Sequence, residues 1–307
     1  MDTPHPPPAT RVLESVRKWR AILSPVFGIA ILGIFIYWIW NYRGAIWSTF
    51  AQIGPAQLVG IIFLLLLSGM LTVFAFVLLV RSKGYDFKFV DGYNTLNYSQ
   101  LASMIPGGIW GFAGLAGALW SKRISKADSI LVIFLNTLIM LTACAIVGIT
   151  GLASTLGWEY AIVCLLPFVF LLIGRNWLDK IRQRLLPDSS QLPSTIILFK
   201  VLIIGIAVWM IASFCFTWLL YSSTGFGVVP FWAASGAYAT GYLGGYITLL
   251  APSGLGVSEG LVALMLGPSI GTEKVLAIAI SFRIINTFVV WCNILVTVIL
   301  TSRRPSK

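Results

Sequence analysis

Long apolar stretches separated by short basic loops dominate the pattern of hydrophobic and polar positions in this chain. A helix needs about 20 apolar residues to cross the hydrocarbon core of a bilayer. We therefore predict an all-α polytopic membrane protein with about six full transmembrane helices. These spans are predicted at residues 23–40, 57–80, 129–151, 160–174, 196–221 and 274–300.

Two further apolar segments, residues 93–120 and 230–266, are broken in the middle by proline and glycine. The residues at the breaks are Pro106, Gly107 and Gly108 in the first segment, and Pro252, Gly254 and Gly256 in the second. Proline removes a backbone donor and clashes with the preceding turn, and glycine loosens the backbone. Because the halves are too short to cross a bilayer alone, we predict two re-entrant broken-helix hairpins. Two full spans in each segment are the alternative.

The order of span, hairpin and span occurs twice, which predicts an internal repeat. A shift of 146 residues places Pro106 on Pro252 and Gly108 on Gly254. The two units cover about residues 57–151 and 196–300. Their first helices run in opposite directions in the predicted topology, so the repeat is inverted, a pattern typical of transporters with a site near the membrane midplane. Two unrelated hairpins are the alternative.

Composition and charge support a membrane location. The 307 residues are 58% hydrophobic and only 10% charged, with a net charge of +11. If the N-terminus is cytoplasmic, every lysine and arginine except Arg43, Lys274, Arg283 and Lys200 falls in a cytoplasmic segment, and Lys200 lies near the cytoplasmic end of its span, as the positive-inside rule requires. We expect a multi-pass protein of the cell inner (plasma) membrane with both termini cytoplasmic. The expected parts are a tail with a basic surface helix (1–20), one transmembrane domain (21–301) and a tail (302–307).

The sequence offers little for catalysis, metals or nucleic acids. The only histidine, His5, lies in a proline-rich tail, and the four cysteines lie in apolar segments without a CxxC pattern. No P-loop motif and no acidic cluster for a divalent metal is present. We therefore expect no cofactor, no metal, no nucleic-acid partner and no enzymatic activity.

Two charged residues, Glu259 and Arg283, interrupt apolar surroundings near the second break. At 1.5 Å per residue, they lie at similar depths, about 12 and 15 Å along their helices. A charge at the bilayer centre costs at least about 3 kcal/mol, so we expect the two to pair. The pair either pins the hairpin to the last span or also binds a phosphate through Arg283. Asn286 lies one turn from Arg283, and the helix after Gly256 could direct backbone amides, near Ser258, at the same group.

The first hairpin is unusually polar before its break, with Asn97, Tyr98 and Gln100. These side chains could line the same cavity as Glu259, or they could be polar packing contacts between helices.

The segments LNYSQLASMIPGGIWGFAG and GYITLLAPSGLGVSEG, followed by a span with Arg283, resemble the membrane domain of lysylphosphatidylglycerol synthases over about residues 20–300. The pattern P-x-G-L-G-x-x-E, from Pro252 to Glu259, is its most specific part. The resemblance implies a flippase-like transporter of polar- or charged-headed lipids. Since the chain stops at Lys307, we expect no aminoacyl-transferase domain and no synthesis of lysyl-lipid.

The predicted function is therefore transport of an aminoacylated phospholipid or a polyprenyl-phosphate-linked lipid between leaflets. The expected partners are such lipids and a lipid-modifying synthase or glycosyltransferase. A membrane-embedded glycosyl or phosphoryl transferase and an accessory or scaffold protein are the alternatives.

Overall fold

The computed structural model describes Gly33 and residues 36–103, 110–157, 175–247 and 254–302. The predicted span 160–174, most of the span 23–40, and Pro106, Gly107, Gly108 and Pro252 lie outside these ranges.

The described residues form helices and no strands. In chain order the helices are α1 (Arg43–Gln52), α2 (Pro55–Arg81), α3 (Phe89–Ser103), α4 (Trp110–Ser121), α5 (Lys126–Leu156), α6 (Arg175–Leu185), α7 (Thr195–Thr224), α8 (Phe231–Ile247), α9 (Val257–Ile270) and α10 (Thr272–Ser302). The all-helical membrane fold is thus confirmed. Within the described ranges, α2, α5, α7 and α10 are long and apolar enough to cross a membrane, and they match four of the predicted spans.

The helices α2 and α7 pack along each other in opposite directions. Gln57 Nε2 donates to the Trp218 carbonyl at 3.2 Å, near the start of α2 and the end of α7. Further along, Ser68 Oγ donates to the Val208 carbonyl at 3.4 Å. Apolar side chains of α2 and α7 contribute to two buried clusters, one shared with α8, α9 and α10, and the other with α3, α4 and α5.

Each proline- and glycine-broken segment forms a pair of antiparallel helices. In the first pair, Ser99 Oγ on α3 donates to the Gly111 carbonyl on α4 at 2.8 Å. In the second pair, Gly241 of α8 lies against Val262 of α9. With 12 residues in α4 and 14 in α9, these arms are about 18 and 21 Å long, less than the roughly 30 Å of the hydrocarbon core.

Each hairpin also packs against a long helix from the other half of the chain, but the two pairs differ in relative direction. Tyr93 on α3 donates to Asn293 Oδ1 on α10 at 2.8 Å, and Asn97 donates to Thr297 at 3.0 Å, so α3 runs parallel to α10. In contrast, α8 runs antiparallel to α5. Contacts at 3.2 Å from Cys144 to the Ala239 carbonyl and at 2.9 Å from Thr150 to the Trp232 carbonyl establish this direction.

At the end of the molecule where α2 stops and α5 and α7 start, Asp128 organises the loops. Its carboxylate accepts hydrogen bonds from the Tyr85 hydroxyl at 2.8 Å and from the Ser190 backbone amide at 2.9 Å and hydroxyl at 2.7 Å. Lys83 donates to the carbonyls of Ser190 and Gln191 from the other side. These bonds fix the segment before α7 against the ends of α2 and α5.

The basic stretch before that segment forms the helix α6. Its Leu178 and Arg182 are buried, while Lys180 and Arg184 are exposed. Arg182 donates to Asp179 Oδ1 at 2.6 Å and to the Ser189 carbonyl at 2.9 Å, which joins α6 to the Asp128 network.

Candidate functional site

Two glycines near the break of the second hairpin have a backbone conformation that only a residue without a Cβ adopts easily. Gly254 and Gly256 have φ angles of +68° and +83°, in the left-handed region. Immediately after Gly256, α9 begins, so its first turn points back toward the break between α8 and α9. Two of the predicted site residues therefore shape the start of α9.

Glu259 lies in this first turn and forms the predicted ion pair with Arg283 on α10. Arg283 Nε donates to Glu259 Oε1, while the Gly256 backbone amide donates to Oε2 at 2.7 Å. Only 4% of the Glu259 side chain is exposed, and 18% of the Arg283 side chain. A carboxylate at a helix N-terminus is also favoured by the helix dipole. The amide of Gly256, just before the helix whose amides could face a ligand, is thus engaged by Glu259.

Ser258 joins the ion pair to the hairpin turn. Its hydroxyl accepts a hydrogen bond from Arg283 Nη2 at 2.5 Å and donates to the Gly254 carbonyl at 3.0 Å. Since Gly254 lies just before α9 and Arg283 lies within α10, these two bonds connect the start of the second arm to the last helix. A movement of Arg283 would therefore be transmitted to the turn.

A cavity of about 40 Å³ lies beside the ion pair. Its polar lining comes from Ser258, Glu259, Arg283 and Asn286 and from two tyrosines of α8, Tyr238 and Tyr242. Such a volume has room for about three water molecules and is smaller than a phospholipid head group. In this conformation the cavity can therefore hold water at the ion pair, and a lipid head group would require it to widen.

Aromatic rings form part of the cavity wall. Phe216 of α7 stacks on Tyr238 with ring centroids 5.0 Å apart, and Phe282 of α10 meets Tyr238 edge-on at 5.1 Å. Sequence reasoning missed these aromatics because each lies in an apolar run, where it resembles any core residue. Only their convergence on Glu259 and Arg283 distinguishes them.

The polar residues of the first hairpin lie elsewhere. Asn97 bonds to Thr297, which follows Arg283 by 14 residues, about 21 Å along a helix. Tyr98 shares a hydrogen bond of 3.0 Å with Thr301, one turn further on, and Gln100 is exposed. Asn97, Tyr98 and Gln100 do not line the Glu259–Arg283 cavity in this structure, and the bonds of Asn97 and Tyr98 are those of helix packing.

The comparison with protein families covers nearly the whole chain. The family model described as the lysylphosphatidylglycerol synthase TM region matches residues 25–292. This chain belongs to that family. A comparison of this chain with curated proteins finds no match. The matched range contains both Glu259 and Arg283, whereas Thr297 and Thr301 lie beyond its end.

Proposed function

We propose that this protein is a flippase-like transporter that moves a polar- or anionic-headed lipid between the leaflets of the membrane. The observation that carries the proposal is the buried Glu259–Arg283 pair beside a cavity of about 40 Å³ at a helix break. Ionisable residues within membrane domains are costly and mark substrate or ion pathways. Interrupted helices place such sites near the midplane.

Arg283 is the group that would bind the lipid. A guanidinium donates paired hydrogen bonds that match a phosphate oxygen pair, and the aromatic wall provides a low-dielectric surface beside it. The head group would pass through the cavity, while the acyl chains remain in the bilayer. Aminoacylated phospholipids and polyprenyl-phosphate-linked lipids both carry the required phosphate.

We propose an inverted repeat as the underlying architecture, with one unit from α2 to α5 and the other from α7 to α10. The antiparallel packing of α2 and α7 supports it, as does the hairpin between the long helices of each unit. The two hairpins meet the opposite units in different directions, so the units are not arranged alike. A pseudo-two-fold axis would give equivalent helix pairs the same relative direction, so the repeat that we propose lies in the order of the helices and not in this packing.

The charge distribution favours cytoplasmic termini and an inner-membrane location. In that orientation the second hairpin enters from the outer side. A lipid-modifying synthase or glycosyltransferase would supply the substrate on the opposite face.

A purely structural ion pair in an accessory membrane protein is the competing function. It is favoured by the engagement of Arg283 with both Glu259 and Ser258. The two functions differ in whether lipid movement depends on Arg283.

The test is reconstitution into liposomes with tail-labelled fluorescent phosphatidylglycerol or polyprenyl phosphate, followed by dithionite quenching of the outer leaflet. We expect the wild type to make inner-leaflet probe accessible, and Glu259→Gln and Arg283→Gln to abolish this movement. Lys274→Gln, at an exposed position near the start of the same helix, is the matched control and should behave as wild type. Well-folded wild-type protein that moves neither probe would contradict the proposal.

A further inference from the structure

The Glu259 site is electrically neutral as it stands. The Glu259 carboxylate and the Arg283 guanidinium form an ion pair, and the carboxylate also accepts a hydrogen bond from the Gly256 amide. Among the described residues, the other titratable groups around the pair are Tyr238 and Tyr242 on α8, with Cys144 of α5 close to the tyrosines. Tyrosine and cysteine are ordinarily neutral below about pH 8, so among these groups the Glu259 carboxylate is the base that can accept a proton.

Binding of an anion to Arg283 would break this neutrality. The anion would compete with Glu259 for the guanidinium, and two negative charges would then share one positive charge in a buried site. A buried carboxylate that loses its cationic partner is strongly disfavoured, as is a second anion close by. The site can regain neutrality if one proton taken up from the bulk aqueous phase adds to Glu259 Oε1 as Arg283 Nε leaves it. Arg283 keeps its charge, and the protonated carboxyl, the guanidinium and the bound anion sum to zero.

We propose that binding of an anionic lipid head group at Arg283 is coupled to uptake of one proton by Glu259. This inference rests on the proposed function, because it requires Arg283 to bind the head group. The lipid anion and the proton bind together and leave together, so the loaded site carries no net charge. A pH difference across the membrane would therefore bias the direction of transport.

The cavity supplies a path for the proton. Its roughly 40 Å³ can hold about three waters, lined by the polar side chains of Tyr238, Tyr242 and Asn286. Water in this cavity would relay a proton from the aqueous phase to Glu259 and provide the polar surroundings that a rearranging ion pair needs. By thermodynamic reciprocity, whatever the anion does to proton affinity, the proton does to anion affinity.

The experiment measures binding of short-chain dihexanoyl phosphatidylglycerol to the whole protein in nanodiscs of neutral phosphatidylcholine. This phosphodiester stays ionised throughout the pH range, so the probe itself does not titrate. We expect the dissociation constant of the wild type, measured from about pH 5.5 to 8.5, to rise with pH by at most tenfold per unit, the limit for one linked proton. Glu259→Gln imitates the protonated carboxyl and should bind with little pH dependence. Glu273→Gln, an exposed carboxylate on α10, should retain the wild-type slope.

Each outcome separates the coupling from the proposed function. A pH-independent dissociation constant in the wild type, with binding still abolished by Arg283→Gln, would overturn the proton coupling and leave the anion site standing. No binding by well-folded wild type at any pH would overturn the anion site itself. If Glu259→Gln does not fold, a pH-indicator dye in weak buffer reports proton uptake by the wild type. Up to one proton per bound lipid is expected, and none would refute the coupling.

Discussion

Gly254 lies directly against the backbone of Gly245, across the second hairpin. A Cβ at Gly254 would lie 2.8 Å from the Gly245 carbonyl carbon and 2.9 Å from its Cα, closer than real Cβ atoms approach other atoms. The two glycines therefore allow α8 and the start of α9 to touch. This close contact places Ser258 and Glu259 within reach of Arg283.

Gly254→Ala should disrupt the hairpin, because it adds a backbone clash and also places alanine at a φ of +68°. We expect a clear fall in the thermal unfolding midpoint and loss of lipid movement. Gly260→Ala is the control within the same hairpin, since its Cβ would meet only Trp38, at 3.8 Å. That substitution should be neutral or stabilise by up to about 1 kcal/mol. Equal unfolding midpoints for both variants would contradict the role of the glycine contact.

Lys83 should make stability depend on alkaline pH. Burial lowers its pKa from the usual 10.5 to about 8, and the charge of Asp128 partly opposes the shift. Below about pH 8 the amine is charged in both folded and unfolded chains, and the folded state bears the cost of burying the charge. Between about 8 and 10.5 the folded chain releases the proton while the unfolded chain keeps it, so stability rises with pH.

We expect Lys83→Met to reduce this rise in the unfolding midpoint, measured in detergent across that pH range. The exposed Lys180 offers the control, because Lys180→Met should preserve the wild-type slope. If Lys83→Met and the wild type show the same slope, Lys83 is not the group responsible.

The ion pair could be predicted from sequence because charges in apolar runs stand out and because helical rise gives their depth. Glu259 and Arg283 satisfied both conditions, and the breaks at glycine and proline indicated the hairpins. Depth alone does not give lateral position, however. Asn97 was therefore placed with Glu259 as one alternative, although it faces Thr297.

Other features had no distinct signal. Tyr238 and Tyr242 lie in an apolar stretch, so their position at the cavity follows only from the packing of α8 on α9 and α10. The basic segment between the predicted spans 160–174 and 196–221 is one of the stretches that the sequence pattern presents as short basic loops. It nevertheless forms α6, because Leu178 and the stem of Arg182 are buried four residues apart.

Asn97 tests whether the first hairpin takes part in transport or only packs. Its side chain and that of Thr297 are buried and bonded to each other. Asn97→Ala leaves the Thr297 hydroxyl without this partner and should cost about 1–3 kcal/mol of unfolding free energy. Tyr98→Phe, at the exposed end of the same contact, should cost less because water can replace the lost bond. If Asn97 only packs, the folded fraction of Asn97→Ala still moves lipid. Loss of movement at unchanged stability would instead place Asn97 in the lipid path.

A double-mutant cycle on Glu259 and Arg283 separates the structural role of the pair from its role in transport. Each single change to glutamine leaves a buried partner uncompensated, which can cost up to about 3–5 kcal/mol. Replacing both removes both charges, so the double variant should recover much of the lost stability, with a coupling energy well above that of an exposed ion pair. The measurements are equilibrium unfolding in mixed micelles and lipid movement in liposomes, on the same preparations.

We expect the double variant to be stable but inactive, because a head-group phosphate then has no guanidinium to bind. That result would show that Arg283 acts on the lipid beyond holding the hairpin. If the double variant moves lipid at the wild-type rate, the pair serves only to pin α9 to α10, and the transport site must lie elsewhere in the protein.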